Sequence, residues 1–133
     1  VIVGERWPAG TSPLRATDDF RLGYRWEDGD LTLLGRVQDQ RIHAAVNGVS
    51  GDGRIVVGNS RSSSGLEAVI WDPTYGLRPL QSVAEDHGAS VRGWVLQSAT
   101  DASDDGTTIV GVARDRAGRQ IPFLLQLPVA AFR

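Results

Sequence analysis

Ser50-Gly51-Asp52-Gly53-Arg54-Ile55-Val56-Val57-Gly58 reads as a tight turn feeding a β-branched strand that closes on glycine. Glycine in such a turn supplies the positive φ, and a Ser or Asp oxygen holds a nearby backbone N–H. The phrase returns as Ser103-Asp104-Asp105-Gly106-Thr107-Thr108-Ile109-Val110-Gly111, and its strand half opens the chain as Val1-Ile2-Val3-Gly4. The three strand glycines lie 54 and 53 residues apart. A fixed period of this size marks a repeat architecture, in which one unit cannot bury its own apolar faces.

The middle copy serves as a ruler for the others. It predicts four short strands, at Ala44–Val49, Arg54–Ser60, Glu67–Asp72 and Leu77–Leu80, the third ending in Ile70-Trp71 before an Asp72-Pro73-Thr74-Tyr75-Gly76 turn. The first copy supplies strands at Val1–Glu5, Leu22–Glu27 (with Trp26) and Leu31–Gly35. The last supplies Trp94–Ala102, Thr108–Ala113 and Gln120–Leu127, with Leu125 in the tryptophan position, as expected of a terminal unit with one unstacked face. Four strands in series with tight turns form a meander, the blade of a β-propeller. The expected fold is all-β, with about two and a half four-stranded antiparallel repeats over approximately 1–43, 44–93 and 94–133. Such a chain is expected to be one repeat domain and a section of a longer propeller. Trp26 and Trp71 would fill the wedge between blades, and the strand glycines would admit a neighbouring backbone or ring.

The near-constant period conceals two variable connections. Gly4 to Trp26 spans 22 residues and Gly58 to Trp71 only 13, while Trp26 to Gly58 spans 32 and Trp71 to Gly111 spans 40. Long connections on a rigid β scaffold are where binding concentrates. The first, residues 6–21, combines aromatic, cationic and acidic groups, so Arg6, Trp7, Arg15, Asp18 and Asp19 are the candidate binding residues. The second, residues 81–93, predicts a short helix near 82–88, with Ser82 as N-cap, Glu85 and Asp86 in its first turn and Gly88 closing it.

These residues resemble the bacterial extracellular repeat family called HAF, named for a His-Ala-Phe motif before the tryptophan. The resemblance rests on Ala45 to Gly58, Ala68-Val69-Ile70-Trp71 and Gly76-Leu77-Arg78-Pro79-Leu80, and on Gly93 to Ala99 followed by Asp104 to Gly111. The name-giving trio is degenerate here, reading Leu22-Gly23-Tyr24 in one copy and Glu67-Ala68-Val69 in the next. The resemblance implies a secreted or cell-surface propeller-like protein, with no catalytic residues to carry over.

Composition narrows the chemistry. The 133 residues carry 14 basic and 16 acidic groups, every basic one arginine, with no basic stripe for nucleic acid and no polybasic run for an anionic membrane. No apolar run approaches the roughly 18 residues of a membrane span. Absent cysteine removes disulfides, thiolate metal sites and thiol nucleophiles, which fits an exported bacterial protein. The chain opens in mid-pattern without methionine, so its natural start is expected to have been lost and a missing signal peptide carries no information.

Asp101-Ala102-Ser103-Asp104-Asp105-Gly106 matches the opening of a calcium loop, making Asp101, Ser103 and Asp105 a weak metal candidate. The match fails at Ile109 and Val112, where carboxylates are required, and a plain Asp-Gly hairpin is the preferred reading. His43 and His87 lie in unrelated segments, and no nucleophile elbow or phosphate-binding glycine loop is present. No cofactor is expected. The leading expectation is a non-enzymatic, extracellular or periplasmic module for binding or display. Its partners would be the rest of a parent chain or further copies meeting at open strand edges, and a carbohydrate or protein ligand. The alternative is a fragment of a secreted carbohydrate-active enzyme, a glycoside hydrolase or lyase, with its catalytic residues outside this chain.

Overall fold

The computed structural model describes residues 1–6, 22–35, 45–62 and 65–132. They form three antiparallel sheets in chain order. The first holds β1 (Ile2–Arg6), β2 (Leu22–Glu27) and β3 (Asp30–Leu33). The second holds β4 (Ala45–Val49), β5 (Val56–Ser62), β6 (Gly65–Asp72) and β7 (Gly76–Pro79), and the third β8 (Val95–Ala102), β9 (Thr108–Arg114) and β10 (Gln120–Gln126). Each sheet is a meander of sequential neighbours. A helix, α1 (Leu80–Asp86), links the second sheet to the third, and a 3-10 turn at Val129–Phe132 follows β10. The described residues are otherwise all-β.

Register shows the strands to be equivalent. Ile2 faces Trp26, Val56 faces Trp71 and Ile109 faces Leu125, so β1/β2 and β9/β10 match β5/β6, the second and third strands of the complete four-stranded repeat. Because side chains alternate across a strand, each sheet has one face carrying this pair and another carrying the residues on either side of it. The sheets stack along the chain so that the pair-bearing face meets the opposite face of the preceding sheet. Val3 and Leu34 of the first sheet pack with Val56 and Trp71 of the second. Ile55, Val57, Ala68 and Ile70 of the second pack with Leu96, Ala99, Ile109, Ala113 and Leu125 of the third. This second layer is the main core, closed at its rim by Leu80, Val83 and Ala84 of α1 and by Leu127 and Ala131. Each fully buried aliphatic here is worth roughly 1.5–3 kcal/mol of transfer from water.

Glycines allow the strands and sheets to come together. β4 shifts register between Val46 and Gly48, and β8 shifts between Leu96 and Ser98 and again between Ala99 and Asp101. Beside these irregularities the carbonyl oxygens of Ala45 and Ser98 occupy the positions that a Cβ on Gly58 and on Gly111 would need. At Gly4 the intruder is the Tyr24 ring, its hydroxyl 2.9 Å from the site. Between sheets, the Val1 side chain sits where a Cβ on Gly53 would go, and Ile55 sits likewise over Gly106.

Three expectations need correction. The helix begins at Leu80, ahead of the expected 82–88, with Pro79 at its N-cap and no side-chain cap. Ser82 is an exposed residue inside the helix and Glu85 and Asp86 fall in its last turn, because the buried stripe Leu80, Val83, Ala84 sets where the helix starts. Gly88 does close it, donating to the Glu85 carbonyl at 3.1 Å. Leu125 does not mark an unstacked face, since it is buried against the second sheet. Trp26 lies on an outward face, at 39% exposure, while Trp71 is 8% exposed beneath the first sheet.

Gly58→Ala is expected to destabilise the protein by about 3 kcal/mol or more, because a backbone carbonyl must move. Gly4→Ala should cost less than about 1 kcal/mol, since only the far end of Tyr24 has to swing. Equilibrium denaturation of both variants checks this ordering.

Candidate functional site

The stack has two dissimilar ends. At one lie the short turns that join first to second and third to fourth strands. At the other lie the connections between second and third strands, leaving at Arg6/Leu22, Ser62/Gly65 and Arg114/Gln120. The segment from α1 to β8 arrives at this second end, where Val95 faces Arg114 and Arg116 donates to the Arg92 carbonyl at 3.3 Å. The described ends of both variable connections therefore lie at one end. Of the candidate binding residues, Arg6 ends β1 opposite Leu22. Trp7, Arg15, Asp18 and Asp19 lie outside the described residues, as does His43.

The opposite end is built from one turn made twice. Ser50 donates its hydroxyl to Asp52 Oδ1 at 2.5 Å and accepts the Ile55 amide at 3.0 Å, while Asp52 accepts the Arg54 amide at 3.0 Å. Ser103, Asp105, Thr107 and Thr108 reproduce this arrangement, each of its three bonds at 3.0 Å, with the Thr107 hydroxyl adding a bond to Asp105 Oδ1 at 2.7 Å. The two turns dock on each other, the Asp52 amide donating to the Asp104 carbonyl at 3.0 Å. Gly51 lies against the Asp104 side chain, and Gly48 against Thr100 and Asp101.

The residues of the calcium candidate are thus spread over separate tasks. Asp105 accepts three turn donors, Ser103 completes the turn, and Asp101 accepts the neighbouring Ala102 amide at 2.8 Å. Among the described residues no group of three or more His, Cys, Asp or Glu gathers as a metal site. His87 is exposed at the helix end, where its backbone amide donates to Val83 and Ala84.

Two further features went unmarked in the sequence. Asp72, fully buried, accepts the amides of Thr74 and Tyr75 and pairs with Arg78 at 2.8 Å. Arg78 also donates to the Ala131 carbonyl at 3.0 Å and lies over the Tyr75 ring at 4.4 Å. This pair ties the third-to-fourth strand turn to the C-terminal segment. The second feature is an apolar cavity of about 190 Å³, lined by Ala89, Ser90, Val91, Trp94, Leu96 and residues 123–125. It is smaller than the roughly 300–1,000 Å³ of ordinary ligand sites, and only Ser90 gives it a polar side chain. Compared with known families, curated proteins and solved structures, the chain matches no family model, no curated protein and no solved structure.

The Ser50 hydroxyl and then the Arg54 amide hold the Asp52 carboxyl below its ordinary value of 3.8, and the Thr107 hydroxyl and amide do the same for Asp105. A carboxyl depressed on folding stabilises the fold above its ordinary value, and that contribution is lost as pH falls through the folded one. Carboxyl NMR titration should place both midpoints below 3.8, with Ser50→Ala moving Asp52 back towards it. Midpoints at the ordinary value would contradict the turn geometry. Thermal melts with calcium and with EDTA should coincide. Asp72→Ala, which strands Arg78, should cost about 3 kcal/mol in denaturant unfolding.

Proposed function

We propose that the chain is a non-catalytic, β-propeller-like repeat module of the bacterial extracellular HAF kind, secreted or held at the cell surface or in the periplasm, and used for binding or display. The observation that carries this reading is the sameness of the two junctions between sheets. Val1 covers Gly53 and Ile55 covers Gly106, so one contact relates the first sheet to the second and the second to the third. Repetition of one contact between meanders is how blades are set around an axis. The first strands support it too. Asn47 of β4 donates to Ser98 Oγ at 3.1 Å and to the Ala99 carbonyl at 2.9 Å, and Gly48 and then Gly51 lie against Asp101 and then Asp104, so β4 and β8 run side by side in the same direction, as first strands do near such an axis.

A binding role draws support from the segregation of connections. Short turns occupy one end, and the described ends of the two variable connections share the other. The acids whose partners are defined are committed to structure: Asp52, Asp72 and Asp105 as described, and Asp115 to the amides of Ala117 and Arg119 at 2.9 Å. The expected ligand is a carbohydrate or a protein surface met by Arg6, Trp7, Arg15, Asp18 and Asp19. The outward sheet faces and the open edges of β1 and β10 are where the rest of a longer chain, or another copy, would continue the stack.

An oligosaccharide screen paired with a hydrolysis assay tests the reading. Binding without turnover is expected, with Trp7→Ala weakening it at least about tenfold. Sustained release of reducing ends would contradict a non-catalytic module.

A further inference from the structure

Each junction between sheets has a donor half and an acceptor half. The donor half is the first and third residues of the Val1-to-Gly4 type quartet, plus the residue before the tryptophan position. In the first sheet these are Val1, Val3 and Arg25, and in the second Ile55, Val57 and Ile70. The acceptor half is the second quartet residue and the tryptophan position, Val56 and Trp71 in the second sheet and Ile109 and Leu125 in the third. The contact over the tryptophan position is explicit at the first junction, where Arg25 lies over the Trp71 ring at 5.6 Å and donates to the Gly53 carbonyl at 2.8 Å. At the second junction Ile70 and Leu125 share one core.

One donor half and one acceptor half remain unused among the described residues. The outward face of the first sheet carries the acceptor pair Ile2 and Trp26, with Leu31 and Leu33 beside them, all exposed. The outward face of the third sheet carries the donors Val110 and Leu124, at 38% and 66% exposure, where Val57 and Ile70 are at 1% and 0%. Leu124 is the most exposed large apolar residue described. A continuous apolar patch of this kind on a sheet face marks an interaction surface.

We propose that these two faces meet between copies of this chain, head to tail, with Leu124 of one copy seated on Trp26 of the next as Arg25 is seated on Trp71. The occupant is a second copy because the apolar strand positions of both halves, Ile2 and Trp26 on the first sheet and Val110 and Leu124 on the third, are exposed on one chain; the glycine-seated part of the contact is not among them. Head-to-tail contacts propagate until rotation closes a ring, so the product is a closed dimer of six sheets or a longer assembly. The inference rests on the junction geometry of the repeat reading. It is independent of the ligand at the variable connections, so its failure leaves the binding proposal untouched.

Sedimentation velocity of the 133-residue chain over a concentration series tests it. Self-association is expected, with Leu124→Asp and Trp26→Asp each abolishing it, since either removes one half of every contact. An equimolar mixture of the two variants should form a 1:1 dimer and stop there, because only one intact donor and one intact acceptor remain. Leu124→Arg should keep the association, since Arg25 on Trp71 is the precedent. Near-UV circular dichroism of each variant reports whether the fold is retained, and both substituted positions are exposed. A monomer at all concentrations overturns the proposal. So does association that survives Leu124→Asp, which would mean pairing of two first-sheet faces, and so does a mixture that stays monomeric.

Discussion

A β-branched side chain seated where a turn glycine has no Cβ sets the spacing between successive sheets. Val1 over Gly53 and Ile55 over Gly106 are the same contact one repeat apart. Both turn glycines also have φ near +76°, a conformation L side chains rarely adopt, so two separate requirements fall on one residue. Close approach at that point brings the next turn within hydrogen-bonding range, and the Asp52 amide reaches the Asp104 carbonyl. It also brings β4 alongside β8 and closes the apolar layer between the second and third sheets. A larger residue at Gly53 or Gly106 would wedge the sheets apart and open that layer to water.

The same constraint explains why equivalent positions in two copies carry opposite residues. Asp101 and Asp104 in the last copy correspond to Gly48 and Gly51 in the middle one, and the structure sets each acid against its own counterpart. Two bulky residues at those positions would collide across the junction. Asp101 and Asp104 are therefore partly packing residues, each fitting a gap left by a glycine, while Asp105 holds the turn, which accounts for a calcium-like spelling without a calcium-like cluster.

Much of the fold was legible because strands, turns and glycines are local. The strands of the middle copy were placed within a residue or two, and β2 was placed at its observed limits, since alternation and turn residues punctuate them. The need for glycine at positions 4, 58 and 111 was also readable, because a missing side chain inside a β-branched strand has few other causes. What was missed depends on contacts far apart in sequence. Trp26 and Trp71 look alike in the chain, yet one faces outward and the other is covered by the preceding sheet. The helix start was misread because Leu80, Val83 and Ala84 outweigh Ser82 once the core is present. Asp72 and Arg78 read as ordinary turn and strand residues, and only the return of the C-terminal segment to the Ala131 carbonyl shows why the pair is buried. The candidate binding residues follow from connection length together with the mix of aromatic, cationic and acidic groups within it. The structure places the described ends of both variable connections at one end of the stack.

The central claim is that one side-chain-to-glycine contact relates each sheet to the next. Nuclear Overhauser spectroscopy on the labelled chain reads that contact directly. Cross-peaks are expected from the Val1 methyls to the Gly53 α-protons and from the Ile55 side chain to the Gly106 α-protons, with matching strength at the two junctions. Their absence, or their presence at one junction only, would contradict a stack built by repetition.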